Sequence, residues 1–288
     1  MATGQIVDDD DLPARRPQCL HGDGADVSGA AGDEDRHRRC RWNGCIMVSI
    51  LLVMCGRFTL HHSTEDVAER FAVEQTLLEL KPRYNIAPSQ PVAAVIQGES
   101  RVLQELKWGL VPSWARDPGI GNRLINARAE TLADKPAFRT AFTRSRCLIP
   151  ASGYFEWQRS GRLRTPMLLH RAGGEPFAIA GLYERWQTPE EGILRSCTII
   201  TTAPNEVAGG VHDRMPAILT AGGAEIWMDR ELTDVDALSR VLRPYPLSDL
   251  ILHPVSDRVN KAGDDDATMI DPVEPPMPEE DPQLGLGL

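Results

Sequence analysis

Hydrophobic and polar positions fall into short runs along the middle of the chain, each closed by a turn signal. Residues 91–97 (PVAAVIQ) and 102–108 (VLQELKW) flank Gly98-Glu99-Ser100, which predicts a strand pair around a turn. Residues 147–149, 153–158 and 167–170 read as further strands, with Ser160-Gly161-Arg162 as the turn between the last two. Residues 177–182 and 197–202 are Ile- and Ala-rich runs, which predicts burial. Helical signals are fewer. Ser63-Thr64-Glu65-Asp66 reads as a helix start, with Val67, Ala68, Phe71 and Ala72 as its apolar stripe. Residues 224–228 begin a second helix and residues 234–242 a third. No internal repeat and no regular βαβ rhythm occur. The pattern predicts an α+β fold in a single domain, a mostly antiparallel, barrel-like mixed sheet with flanking helices.

The chain has 288 residues, enough for one large domain or two small ones. A chain of this size buries roughly three quarters of its unfolded surface and needs no disulfide or metal staple. The formal net charge of −10 argues at first against a nucleic-acid partner. Its distribution changes that. Residues 1–53 carry net −3 and residues 264–288 net −8, which leaves net +1 for residues 54–263. Both acidic ends have the composition of unfolded segments; the last has five prolines between Pro272 and Pro282. The expected organisation is a disordered extension over 1–53, a folded domain over 54–263 and a disordered acidic, Pro-rich tail over 264–288. A domain near neutrality permits DNA binding through a local basic groove rather than bulk attraction.

Six cysteines are present, Cys19, Cys40, Cys45, Cys55, Cys147 and Cys197, with no CxxC pair and no Cys/His cluster of zinc-finger spacing. No metal, cofactor or disulfide framework is implied, and a reducing cytoplasm is the expected location, with nucleoid association in a bacterium. Arg36 to Arg41 precede an apolar run from Ile46 to Met54 that ends at Cys55, an arrangement resembling a lipoprotein signal. The run is short, its charged lead is long, and Met54 stands where a small residue should precede the cleaved bond. It is also too short to span a membrane, which takes about 20 apolar residues. Neither secretion nor a membrane partner is expected.

No P-loop, GxGxxG, HExxH or GxSxG occurs. Short polar clusters stand out instead: Met54-Cys55-Gly56-Arg57-Phe58, Arg83-Tyr84-Asn85-Ile86-Ala87-Pro88, Trp108-Gly109, Asn126-Ala127-Arg128-Ala129-Glu130-Thr131, Gly153-Tyr154-Phe155-Glu156-Trp157, His212-Asp213-Arg214-Met215-Pro216 and His253-Pro254-Val255-Ser256. In this order and spacing they resemble the SRAP family, the SOS-response-associated peptidases or abasic-site-processing proteins. The resemblance spans residue 54 to about residue 263, and its strength lies in the series rather than in any one cluster. It implies recognition of abasic sites in single-stranded DNA, a covalent link through a cysteine that becomes the mature N-terminus, and peptidase-type activity toward the residues ahead of it. By resemblance Cys55 is the reactive residue, with Asn126, Glu156 and His212 as catalytic neighbours. DNA contacts map onto Arg57, Pro88, Trp108, Arg128, Trp157 and Thr201. A monomer acting on single-stranded DNA is expected.

The chemistry fits that set. An N-terminal cysteine offers an amine and a thiol to one aldehyde carbon, C1′ of an abasic deoxyribose, and closes a five-membered thiazolidine. An internal cysteine cannot, because a peptide nitrogen is not nucleophilic. Glu156 and His212 are suited to move the protons. Asn126 can hold the amine or sugar by hydrogen bonds. Arg57 and Arg128 suit flanking phosphates. Trp108 and Trp157 offer faces to unstacked bases, and Pro88 a wedge.

Taken singly, the same residues read otherwise. Cys55 beside an apolar run is a small core residue. Glu156 is the exposed partner in an alternating strand. His212 is as readily a surface turn as a site residue. Asn126 and Arg128, two apart, share one side of a strand, which suits an ordinary hydrogen-bonded edge as well as a phosphate site. Trp108 and Trp157 are equally core or platform. His253 and Ser256 are read as structural, and Cys147 and Cys197 as inert strand residues.

One departure from the family pattern matters. The cysteine there follows the initiator methionine, whereas 53 residues precede Met54 here. Either Met54 is the true start, the reading favoured by the leader's mixed composition, or the extension is removed. Two other classes of function stay open: a cysteine peptidase or amidohydrolase acting in trans, and a non-covalent single-strand-binding module.

Overall fold

The computed structural model describes residues 55–246 and 248–274. The expectations for residues 1–53 and 275–288 fall outside these residues. In chain order the elements are β1 (Phe58–Leu60), α1 (Thr64–Arg70), β2 (Gln75–Thr76), β3 (Arg83–Ile86), β4 (Pro91–Gln97), β5 (Arg101–Trp108), β6 (Asn126–Arg128), α2 (Arg139–Arg144), β7 (Arg146–Ala151), β8 (Gly153–Ser160), β9 (Leu163–Arg171), β10 (Phe177–Gln187), β11 (Ile193–Thr202), α3 (Glu206–Gly209), β12 (Met215–Pro216), β13 (Ile218–Leu219), α4 (Ala221–Met228), α5 (Val235–Arg240) and β14 (Leu250–Pro254). Short 3-10 turns cover Pro118–Arg123, Ala129–Thr131, Asp257–Asn260 and Ala267–Ile270.

The larger sheet closes on itself. β4 pairs antiparallel with β5 and β7, β7 with β10, and β10 with β11. The ring shuts through a parallel pairing of β11 with β5, at Ser196↔Lys107 and Cys197↔Trp108. β2, β6, β12 and β13 extend its rims. The result is the expected α+β domain with a barrel-like mixed sheet. Closure explains why β7 reads as an unbroken apolar run: one face fills the barrel and the other lies under α2, α4 and β1. A second sheet, in the order β14-β9-β8-β1-β3, is antiparallel throughout. The chain crosses between sheets at buried Ser152. Its backbone N–H donates to Thr59 O at 2.7 Å, and its hydroxyl accepts from His61 N–H at 3.0 Å.

Local signals were obeyed closely. Ser63 and Asp66 form a reciprocal capping box on α1, and Val67 and Phe71 bury its stripe. Gly161 takes φ +58° in the β8–β9 turn. Two differences are physical. α4 starts at Ala221 rather than 224, because the Thr220 hydroxyl accepts from Gly223 N–H and draws both glycines into the first turn. The packed fold also continues past residue 263. Met269 is buried, and Asp265 accepts from the backbone N–H groups of Tyr84 and Asn85, so the disorder expected from 264 onward does not apply to 264–274.

Long-range polar contacts complete the frame. Buried Arg146 donates to Phe142 O and Thr143 O at the end of α2 and to Trp227 O at the end of α4, with Asp229 O and Leu232 O beyond. One cation thus serves the unpaired carbonyls of two helix ends. Gly109, at φ +129°, crosses Gly121 so closely that a Cβ would stand 2.7 Å from Gly121 O.

Candidate functional site

The register of the small sheet builds the site. Phe58 pairs with Tyr154, and β8 runs on past the start of β1. Glu156 therefore reaches the residues just ahead of Phe58. The backbone N–H of Cys55 donates to Glu156 Oε1 at 2.7 Å. Cys55 is 2% exposed and Glu156 3%. Cys55 also holds φ at 48°, a left-handed value that strains a residue with a side chain.

Burial governs the electrostatics. It pushes the Cys55 thiol well above its ordinary range, helped by the charge of Glu156 and a hydrogen bond to it, and opposed by Arg214. It also raises the Glu156 carboxyl, against the pull of the Cys55 thiol, of His212 and of the Cys55 N–H. A buried carboxylate of raised proton affinity beside a backbone nitrogen is a group poised to exchange protons.

His212, Asp213 and Arg214 approach from the turn after α3, where His212 N–H donates to Ala208 O at 2.9 Å. His212 Nδ1 lies 2.8 Å from Asp213 Oδ1 and 3.1 Å from the Arg214 amide. These contacts are alternatives. A protonated Nδ1 donates to Asp213, and an unprotonated one accepts from Arg214 N–H. The Arg214 guanidinium grips both oxygens of Glu130, at 2.6 and 2.9 Å, and Thr201 O at 2.6 Å. That bond holds the Glu130 carboxyl below its usual range. β11 carries Thr201 between β12 and β6, at Thr201↔Pro216 and Thr201↔Arg128. Asn126 and Arg128 leave one side of β6, with Ala127 in the core between them.

Arg57 and Trp157 sit over the small sheet, both half-buried. Arg57 Nε–H donates to Asn85 Oδ1 at 3.1 Å and Nη2 to Asn260 O at 3.4 Å. The Trp157 indole N–H donates to Asn260 Oδ1 at 2.9 Å. Asn85, fully buried, donates from Nδ2 to Lys261 O and Asp264 O, each at 2.9 Å. Residues 257–266 thus form a strap that fixes Arg57 and Trp157. Pro88 is half-buried beside Ser89, whose N–H donates to Trp108 O at 2.8 Å.

Two expected DNA contacts need correction. Trp108 has no exposed surface; its indole N–H donates to Ile125 O at 2.9 Å, and its ring meets Phe58 edge-on at 5.3 Å. It has no face to offer a base. Thr201 is also fully buried, and its oxygens accept from Arg214 rather than facing a strand.

Three features had no assigned role. Asn85 and Asn260 make the strap, and Asn260 has no local signal at all. Trp114 is 60% exposed, beside Arg116 and Arg123, in a loop secured by the bond from the Trp186 indole to Ala115 O at 2.7 Å. An exposed tryptophan was visible in the sequence, but its exposure was not. Cys147 and Cys197 are fully buried, and burial raises both thiols. Among the described residues no group of three His, Cys, Asp or Glu side chains could hold a metal, and no helix is long and apolar enough to cross a membrane.

A family model described as SOS response associated peptidase (SRAP) matches residues 54–262. The abasic site processing protein YoqW of Bacillus subtilis is 44% identical over 222 residues, covering 76% of this chain and 99% of the relative. The abasic site processing protein YoaM of the same organism is 42% identical over 222 residues, covering 76% and 98%. Among solved structures, a protein from Bacteroides thetaiotaomicron matches with a TM-score of 0.70 at 24% identity, over 76% of this chain and all of that one, which is a likeness of fold.

Proposed function

We propose that this chain, which belongs to the SOS response associated peptidase (SRAP) family, processes abasic sites in DNA, as the names of its Bacillus relatives state for them, and does so by a covalent thiazolidine link through Cys55. The contact of 2.7 Å between Cys55 N and Glu156 Oε1 carries this reading. It sets a proton-exchanging carboxyl on the nitrogen that must gain and lose protons.

An abasic deoxyribose opens to an aldehyde at C1′. Once Cys55 is the first residue, its α-amine, with an ordinary pKa of about 7.7–8.0, is partly neutral at pH 7 and attacks that carbon. Water leaves and an imine forms. The thiol then adds across C=N: sulfur bonds C1′, the π pair moves to nitrogen, and the thiol proton ends on that nitrogen. The product is a ring of N, Cα, Cβ, S and C1′, with one water released. Glu156 relays the protons at nitrogen and sulfur, and His212 serves the sugar oxygen. Asn126 holds the sugar. Arg57 and Arg128 take the flanking phosphates, Trp157 and exposed Trp114 the unstacked bases, and Pro88 the gap. While residues precede Cys55, its nitrogen is the leaving amide of the Met54–Cys55 bond. In self-removal of the leader a water oxygen adds to the Met54 carbonyl carbon, the C–N bond breaks, and Glu156 passes the proton to the leaving nitrogen.

Incubation with a single strand bearing one abasic site should give an adduct that survives heat and denaturant, and mass spectrometry should find Cys55 as the first residue. Cys55→Ala should abolish it. An adduct that persists in Cys55→Ala, or a population that begins only at Met1 and forms none, overturns the reading. Turnover of peptides in trans without an adduct favours a cysteine peptidase. Equal, salt-sensitive affinity for intact and abasic strands with no covalent product favours a binding module.

A further inference from the structure

A buried polar side chain beside Glu156 takes no part in the steps above. Tyr154 lies two residues before Glu156 on β8, so both side chains leave the same face of the strand. Its ring is part of the main core and is 1% exposed. Its hydroxyl is enclosed and, among the described residues, has no hydrogen-bond partner. Phe58, its neighbour across β1, offers none. Charges on Cys55 and on Glu156 both act on the phenol and, with burial, hold its proton firmly in place. A buried hydroxyl without a partner costs stability, and phenylalanine would fill the same space without that cost. A group retained against its own folding cost calls for a use in the site it faces.

Resting on the crosslinking reading above, we propose that Tyr154 is a further catalytic residue: its hydroxyl is the donor that receives negative charge on the Cys55 sulfur. When sulfur adds to the imine, the S–H proton passes to the Glu156 carboxylate and from there to nitrogen, as the S–C1′ bond forms. Until that bond is made, sulfur carries charge in a buried pocket. Glu156 holds the proton taken from sulfur and returns it to nitrogen, so it is not the group that steadies that charge. Arg214 attracts it, but its guanidinium is neutralised by Glu130. Tyr154 is neutral, keeps its proton and has its one donor free. Donating to sulfur turns an unpaired group into a charge-assisted bond formed only as the reaction proceeds.

The test is Tyr154→Phe in the full chain. The variant should melt at the same temperature as the parent or higher. At saturating abasic single strand, adduct formation should slow about tenfold to a hundredfold, the worth of one hydrogen bond to a charged group. Affinity for an intact strand should not change. Alkylation of Cys55 by iodoacetamide, read from the mass of its peptide, should shift to higher pH. Unchanged rates of both reactions overturn the proposal, and so does a variant that loses stability along with rate, since that marks a packing residue. If the parent forms no adduct under any condition, the crosslinking reading fails, and the alkylation profile still decides whether Tyr154 serves the sulfur.

Discussion

The backbone N–H of Cys55 donates to Oε1 of Glu156 across 101 positions of sequence, with both residues buried. Two elements that start and end near each other only in the folded sheet create this contact. It joins the nitrogen and the proton carrier of the proposed reaction. It also sets stability against activity, because burial penalises the carboxylate that the chemistry uses.

Glu156→Gln should separate those two effects. The amide oxygen can still accept from Cys55 N–H, but no proton can be relayed, so adduct formation should fall by about a hundredfold or more. Folding raises the carboxyl above its unfolded value. Its contribution is therefore fully present below the unfolded pKa, near 4.3, and is lost as pH rises through the higher folded value. Thermal melts should show Glu156→Gln above the parent at pH 7.5, with the gap closing near pH 4. A variant less stable than the parent at pH 7.5 would contradict the sign.

Asn260 holds the Trp157 indole and one edge of Arg57. Asn260→Ala should free the Trp157 indole, while the backbone carbonyl that accepts from Arg57 stays, and should weaken binding to an intact single strand about three- to tenfold, the cost of ordering the indole on association. Adduct rate at saturating strand should be little changed. Asn260→Asp keeps an acceptor for the indole N–H and should recover most of the affinity. Equal losses in the two variants would show that the contact does not position Trp157.

Arg214 supports four acceptors at once, two on Glu130 and two on Thr201. Lysine offers a point charge without the planar fork. Arg214→Lys should cost roughly 1–3 kcal/mol in chemical denaturation, chiefly through the unpaired Thr201 carbonyl. Glu130→Gln, at a half-exposed carboxylate, should cost less than about 1 kcal/mol. The reverse order would place the weight on the ion pair instead.

Trp108 and Trp114 should behave differently. Trp108→Ala should destabilise by about 3–5 kcal/mol, as for a large core residue, and leave strand affinity of the folded protein intact. Trp114→Ala should barely move stability but weaken strand binding by about 1–3 kcal/mol, the worth of one stacked base. Fluorescence-detected unfolding and strand titration check both. Weaker binding in Trp108→Ala at full folding would reverse the correction made from its burial.

Much of the fold was legible because its causes are local. The β4–β5 and β8–β9 hairpins announced themselves through apolar runs and turn residues, and α1 through its capping box. The site was legible as a set of residues, since the clusters stand at recognisable spacing. Trp108 illustrates the limit. Its sequence context at a strand end fits a platform as well as a core, and only pairing with Cys197, which shuts the barrel, buries it.

By itself, then, the amino-acid sequence determined the α+β class, most strand and turn positions, and the candidates Cys55, Asn126, Glu156 and His212. The class and the element positions follow from periodicity and turn chemistry, which act over a few positions of chain; the candidates follow from the resemblance of the polar clusters to the SRAP family. Tertiary structure alone decided that Glu156 meets Cys55, that Thr201 accepts from Arg214, and that Asn85 and Asn260 strap Arg57 and Trp157 in place. It also decided that residues 264–274 belong to the packed fold. The physical reason is one and the same: a hydrogen bond or a buried face depends on distance in space, and here the partners lie from 13 to 176 positions apart in the chain, or become neighbours only when the barrel closes.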